Sequence, residues 1–129
     1  MGSSSQSPKV LIIEDDFVAS KLAQMMLEAK GYLVDCVFSG QAAVEKFKEY
    51  YDLIILDLGL PDIHGFELAK KIRESHGSLA SAQIMVLTAF DTKQSQESKK
   101  DLKIKSFFSK PFTLEKCEHM LELANLTCH

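Results

Sequence analysis

Three unbroken apolar runs stand out along the chain: Val10-Leu11-Ile12-Ile13, Leu53-Ile54-Ile55-Leu56 and Ile84-Met85-Val86-Leu87. Such runs, rich in β-branched residues and without polar alternation, mark strands buried on both faces. Two weaker strands accompany them. Leu33 to Val37 is interrupted by Asp35, which suits a sheet edge, and Ser106-Phe107-Phe108-Ser109 stops at Lys110-Pro111. Between the strands the apolar residues recur at helical spacing. Val18, Leu22, Met25, Met26 and Ala29 form one such series, ended by Gly31, with Met25 and Met26 read as core filling. Ser39 is placed to cap a helix from Gln41 to Tyr50 with Ala43, Val44 and Phe47 inward. Phe66, Leu68, Ala69 and Ile72 mark the next helix, and the polar stretch from Thr92 to Lys103 a fourth. Thr113 caps a last helix with Leu114, Cys117, Met120, Leu121 and Ala124 on one face. Five strands alternating with five helices, with no room for tight hairpins, predict an α/β fold: an open, doubly wound parallel sheet covered by helices on both faces.

In a parallel sheet the carboxyl ends of the strands share one edge, and ligand sites form there. Glu14 and Asp15 follow the first strand, Asp57 the third, Thr88 the fourth and Lys110 the fifth. Carboxylates converging on one spot repel unless a cation lies between them. An all-oxygen donor set without His or Cys points to a hard dication, Mg²⁺ by default. Three carboxylates, one Mg²⁺ and one Lys sum to zero charge. A balanced pocket of this kind suits phosphoryl chemistry, in which a carboxylate can itself be the nucleophile. Asp57 is the candidate acceptor. Lys110 would hold the phosphoryl group by charge, and the Thr88 hydroxyl would donate to one of its oxygens. Asp16, just before a helical pattern, is read as an acid at the helix start rather than a ligand.

Composition narrows the alternatives. The 129 residues fit a single domain, and a net charge of −3 gives no general attraction to nucleic acid or anionic lipid. No apolar run is long enough to span a bilayer. Cys36, Cys117 and Cys128 lack metal-ligand spacing and read as reduced thiols of a cytoplasmic protein. The Ser-rich residues 1–8 read as a disordered segment or cloning scar and residues 126–129 as a tail. His64, His76, His119 and His129 read as surface groups, with His64 near enough to Asp57 to influence a phosphorylated state.

From Lys9 to Leu123 the chain resembles a receiver domain of the response-regulator family of two-component systems, giving domain bounds of 9–125. Glu14 and Asp15 match the family's acidic pair, Asp57 its phosphorylated aspartate, and Pro61 and Gly65 the loop beyond it. Thr88-Ala89 matches the switch hydroxyl with its small neighbour, and Lys110-Pro111-Phe112 the lysine with its usually cis proline bond. The resemblance implies a flavodoxin-like sheet of order 2-1-3-4-5. It also implies a metal site of Glu14, Asp15, Asp57 and the backbone carbonyl of Gly59, holding Mg²⁺. The donor implied is a phosphohistidine on a histidine kinase or histidine phosphotransfer protein. Thr88 and Phe107 would act as switch residues altering a partner surface formed by the 92–103 stretch, the last strand and the final helix. Three positions depart from the family pattern. Glu14 stands in place of Asp, Phe107 in place of the usual Tyr, and Lys103-Ile104 in place of the frequent Gly-Ala, removing the left-handed residue expected there.

The segment Leu56-Asp57-Leu58-Gly59-Leu60-Pro61-Asp62 resembles receivers of hybrid sensor histidine kinases, whose parent proteins can be anchored in the inner membrane. A stand-alone single-domain regulator, monomeric or weakly dimeric, is the alternative context. In either case no turnover is expected from the domain beyond its own phosphorylation and dephosphorylation. Two other classes compete. A Mg²⁺-dependent phosphohydrolase with an aspartyl nucleophile needs a second acid two residues beyond the first strand's Asp, where Phe17 stands. A flavin-binding electron carrier needs a hydroxyl- and Gly-rich loop where this chain has carboxylates.

Overall fold

The computed structural model describes residues 7–75, 77–89 and 100–126. Five strands, β1 (Lys9–Ile13), β2 (Leu33–Val37), β3 (Leu53–Asp57), β4 (Gln83–Thr88) and β5 (Ile104–Ser109), form one sheet of order β2-β1-β3-β4-β5. Every pairing is parallel, with one irregularity between β4 and β5 at Ile84/Met85. Among the described residues four α-helices accompany it: α1 (Phe17–Ala29), α2 (Gly40–Val44), α3 (Gly65–Glu74) and α4 (Leu114–Ala124). Of the helix expected over Thr92–Lys103, residues 92–99 lie outside the described set and residues 100–101 are helical. Residues 1–6, His76, 90–91 and 127–129 also lie outside it.

Successive residues of a strand point to opposite faces, so each apolar run feeds two cores. Leu11, Ile13, Ile54, Leu56, Ile84 and Val86 face α2 and α3, packing on Ala43, Leu68, Ala69 and Ile72. Val10, Ile12, Leu53, Ile55, Met85 and Leu87 face α1 and α4, packing on Ala23, Leu27, Met120 and Leu121. This two-sided burial is why those runs contain no polar alternation. The edge strand β2 keeps Asp35 because Tyr51, itself fully buried, donates its hydroxyl to Asp35 Oδ2 at 2.6 Å. Leu126, placed in the tail by the sequence, accepts from the Tyr32 hydroxyl at 3.1 Å and packs against the α1/α4 core. No helix of the described residues is long and apolar enough to cross a membrane.

Helix orientation corrects the sequence reading in three places. The inward face of α1 is Ser20, Ala23 and Leu27. Val18 and Met25 are each 65% exposed and Leu22 51%, so only Met26 of the two methionines contributes to the core. Small residues on the inner face let α1 lie close to the sheet, and the larger apolar stripe is left outside. Next, α2 ends at Val44 and continues as turns to residue 48, and Val44 is exposed while Phe47 packs inward. Leu114 is likewise exposed, whereas Cys117, Met120, Leu121 and Ala124 are buried as expected.

Before β5, Lys103 itself adopts the left-handed conformation at φ 55° where the family pattern supplies glycine. The turn is held by Arg73, whose guanidinium donates to the carbonyls of Leu102 (2.8 Å), Lys103 (3.1 Å), Ala80 (2.9 Å) and Ala82 (2.6 Å). A side chain in this region costs roughly 1–2 kcal/mol, part of which glycine returns through a more flexible unfolded chain. Lys103→Gly is therefore expected to stabilise the fold by about 0.5–1 kcal/mol, read as a higher urea midpoint at unchanged slope.

Candidate functional site

The carboxyl ends of β1, β3, β4 and β5 meet at one edge of the sheet. β1 ends at Ile13, and the Glu14 N–H donates to the Val37 carbonyl at 3.1 Å, drawing the residue in beside β2. Asp57 is the last residue of β3, paired in register with Leu87, so Thr88 lies one residue beyond it on β4. Thr88 pairs with Ser109 of β5, and its carbonyl accepts from the Lys110 N–H at 3.0 Å. The Lys110–Pro111 peptide is cis. Backbone pairing thus brings residues up to 96 positions apart to one place.

Lys110 Nζ lies 3.0 Å from Glu14 Oε1 and 3.0 Å from Asp57 Oδ1. Both carboxylates are buried, each only 3% exposed as a residue, while Lys110 stays partly open to solvent. Asp57 Oδ1 also accepts from the Gly59 N–H at 3.0 Å, and Glu14 Oε2 from the Asp16 N–H at 3.3 Å. Burial, with Asp57 alongside, pushes the Glu14 carboxyl up to about 7 against the pull of Lys110. Burial also acts to raise Asp57, but hydrogen bonds from Glu14, Gly59 and Lys110 outweigh it and hold Asp57 below the usual carboxylate range. Two buried acids and a single lysine therefore favour a proton on Glu14 and charge on Asp57. Burial works against the Lys110 charge, yet the two acids raise its pKa overall.

Asp15, exposed, completes the cluster: one carboxylate oxygen each from Glu14, Asp15 and Asp57 lie within 4.8 Å of one another. The donor set is all oxygen and carries a negative excess, and one of its members opens to solvent. These features fit a hard dication that keeps several waters, as Mg²⁺ does, and do not fit a thiophilic metal. The Gly59 carbonyl belongs to the same loop, whose N–H already touches Asp57.

The remaining predicted residues are placed as follows. Asp16 is the N-cap of α1, its Oδ1 accepting from the Ala19 N–H at 3.1 Å. Phe107, on β5, pairs with Val86 of β4 and is half-buried, with its ring edge-on to Phe66 at 6.2 Å. Two residues near the site have parts that the sequence reading missed. His64 caps α3, its Nδ1 accepting from the Phe66 N–H at 3.1 Å, and its position one residue before the helical run is the signal that could have revealed this. Asp62 reaches back to residues 40 and 41, a contact that no local pattern announces.

Residues 10–122 match the response regulator receiver domain family. Among curated relatives, the response regulator ArlR of Staphylococcus aureus is 34% identical over 108 residues, covering 83% of this chain and 48% of that protein. The transcriptional regulatory protein CrdR of Helicobacter pylori is 31% identical over 111 residues, covering 85% and 51%. The chain thus spans about half the length of the curated relatives it matches. Among solved structures, the chemotaxis response regulator CheY4 of Vibrio cholerae superposes with a TM-score of 0.82 at 25% identity, covering 92% of this chain and 99% of that one. A two-component response regulator from Clostridium difficile gives 0.82 at 28% identity, covering 92% and 96%.

Binding to the folded state alone stabilises it, by about 1.4 kcal/mol at ten times the dissociation constant. Millimolar Mg²⁺ is therefore expected to raise the urea midpoint of the protein and to have much less effect on Asp57→Asn. Na⁺ at equal ionic strength should not reproduce the shift.

Proposed function

The chain belongs to the response-regulator receiver family of two-component signalling, and we propose on that premise that it is a Mg²⁺-dependent phosphoryl acceptor with Asp57 as the acceptor residue. The observation that carries this reading is the buried Asp57 carboxylate, held ionised between Lys110 and the Gly59 N–H beside two further acids. Receivers of this family work with histidine kinases or histidine phosphotransfer proteins, and a phosphohistidine is the donor proposed here.

In the transfer, an Asp57 carboxylate oxygen attacks phosphorus, forming an O–P bond as the P–N bond to the histidine breaks. The electron pair of that bond stays on the imidazole nitrogen, which leaves as a neutral ring after protonation. Mg²⁺, held by Glu14, Asp15, Asp57 and the Gly59 carbonyl, would neutralise the phosphoryl oxygens. Lys110 supplies the second positive charge, already poised at 3.0 Å from Asp57, and moves with the new anionic group. Thr88, one residue past the register partner of Asp57, donates its hydroxyl to a phosphoryl oxygen. That inward draw on β4 gives Phe107 room to shift against Phe66, altering the surface of β5 and α4.

The donor needs a landing surface beside the site. α1 begins two residues after Asp15 and exposes its stripe of Val18, Leu22 and Met25, and at its start Phe17, also exposed, lies 5.7 Å from the Phe38 ring. We assign this stripe to the phosphodonor protein. Two contexts for the parent protein have support. The relatives named as response and transcriptional regulators favour an effector-linked regulator, and the Leu56–Asp62 segment resembles hybrid sensor kinases. A cytoplasmic location accords with reduced Cys36 and Cys117 and a phosphohistidine donor.

Incubation with Mg²⁺ and acetyl phosphate should add one phosphoryl mass to the protein and none to Asp57→Asn. Equal labelling of both, or sustained phosphate-ester turnover, would contradict the acceptor reading. Leu22→Asp should accept from acetyl phosphate at the normal rate, yet lose about tenfold in transfer from a phosphohistidine protein, the effect of removing one apolar anchor of an interface.

A further inference from the structure

We infer that Asp62 is a positioning residue for the metal site: by clamping the β3–α3 loop to the start of α2, it fixes where the Gly59 carbonyl points. The inference rests on the acceptor reading above and deepens it. Asp62 is exposed, yet both of its carboxylate oxygens are engaged, Oδ1 by the Gly40 N–H and Oδ2 by the Gln41 N–H, each at 2.9 Å. These are two of the otherwise orphaned donors at the start of α2, and Ser39 Oγ takes the next from Ala42 at 3.1 Å. The carboxylate is therefore pinned by two fixed backbone groups and not by a mobile side chain.

The approach is close by construction. A Cβ on Gly40 would clash with Ile63 Cγ2 and meet Asp62 Oδ1 at 3.3 Å, so the loop seats directly on a residue without a side chain. Apart from the Gly59 N–H bond to Asp57 Oδ1, which holds the peptide on the other side of Gly59 from its carbonyl, the loop's remaining anchors among the described residues are apolar or backbone. Leu60 is buried, Leu58 and Ile63 pack against the core, and the Gly65 N–H donates to the Leu58 carbonyl at 3.1 Å. Apolar contacts set the depth of a loop but are tolerant of sliding, whereas a two-point charge-assisted clamp sets its direction. Gly59 lies three residues before Asp62 in this loop, with its N–H on Asp57 Oδ1. Loss of the clamp frees the peptide that carries the Gly59 carbonyl without touching any carboxylate of the cluster.

The test compares the protein, Asp62→Ala and Asp62→Asn by amide NMR with MgCl₂ titration, hydrogen exchange, and acetyl phosphate labelling. Asp62→Ala should lose exchange protection at Gly40 and Gln41, keep it in β3, and bind Mg²⁺ about tenfold more weakly, the lower end of the loss for outer-shell partners. Labelling at subsaturating Mg²⁺ should slow in proportion and recover at saturating Mg²⁺. Asp62→Asn retains one acceptor oxygen and should fall between the two, and it carries the test if Asp62→Ala does not fold. Mg²⁺ affinity equal to that of the unaltered protein, in a folded variant whose Gly40 and Gln41 protection is lost, overturns the inference alone. Absence of both Mg²⁺ binding and labelling in the unaltered protein overturns the acceptor reading beneath it.

Discussion

One ammonium group between two buried carboxylates is the contact on which the rest of the site depends. Lys110 Nζ sits 3.0 Å from both Glu14 and Asp57, tying the end of β1 to the end of β3 from the far edge strand β5. Without it, two acids would face each other in a low-dielectric pocket, and one or both would have to take a proton. With it, Asp57 keeps its charge, but one ammonium does not offset burial and the neighbouring Asp57 at Glu14, whose carboxyl stays up at about 7: the pocket holds more acid than a single cation balances. That shortage of positive charge is the physical reason a dication would be drawn to this pocket in the function proposed above.

The fold serves this contact by fixing its ends. The three central strands are buried on both faces, with α1 and α4 on one side and α2 and α3 on the other, so the strand termini cannot drift independently. The loops between are held by polar clamps: Asp16 on α1, Asp62 on α2, His64 on α3 and Thr113 on α4. Phe107, by contrast, is only half-buried on its edge strand, with its ring edge-on to Phe66.

The central strands and the acidic edge were legible in the sequence because each depends on a short, contiguous signal. An unbroken apolar run means two buried faces, and the residue at its end lies on the functional edge. Helix faces were less legible. α1 carries two apolar stripes, Val18-Leu22-Met25 and Ala23-Met26-Leu27, and periodicity cannot say which one meets the sheet. The structure chooses the stripe containing Ser20 and Ala23, whose small side chains permit close approach. Lys103 shows another limit, since a left-handed lysine has no propensity signal, and only the carbonyl cage of Arg73 explains how the turn is kept. The clamp by Asp62 joins residues 22 positions apart, so it becomes visible only once the loop and α2 are seen together.

The central claim is that one cation site exists and lies between the ends of β1 and β3. Substoichiometric Mn²⁺ added to the isotopically labelled protein tests it most directly, because paramagnetic broadening falls off steeply with distance from the ion. The account predicts selective loss of the amide signals of residues 13–16, 57–60 and 110, reversed by excess Mg²⁺. Broadening that is uniform, or centred away from these residues, would contradict it.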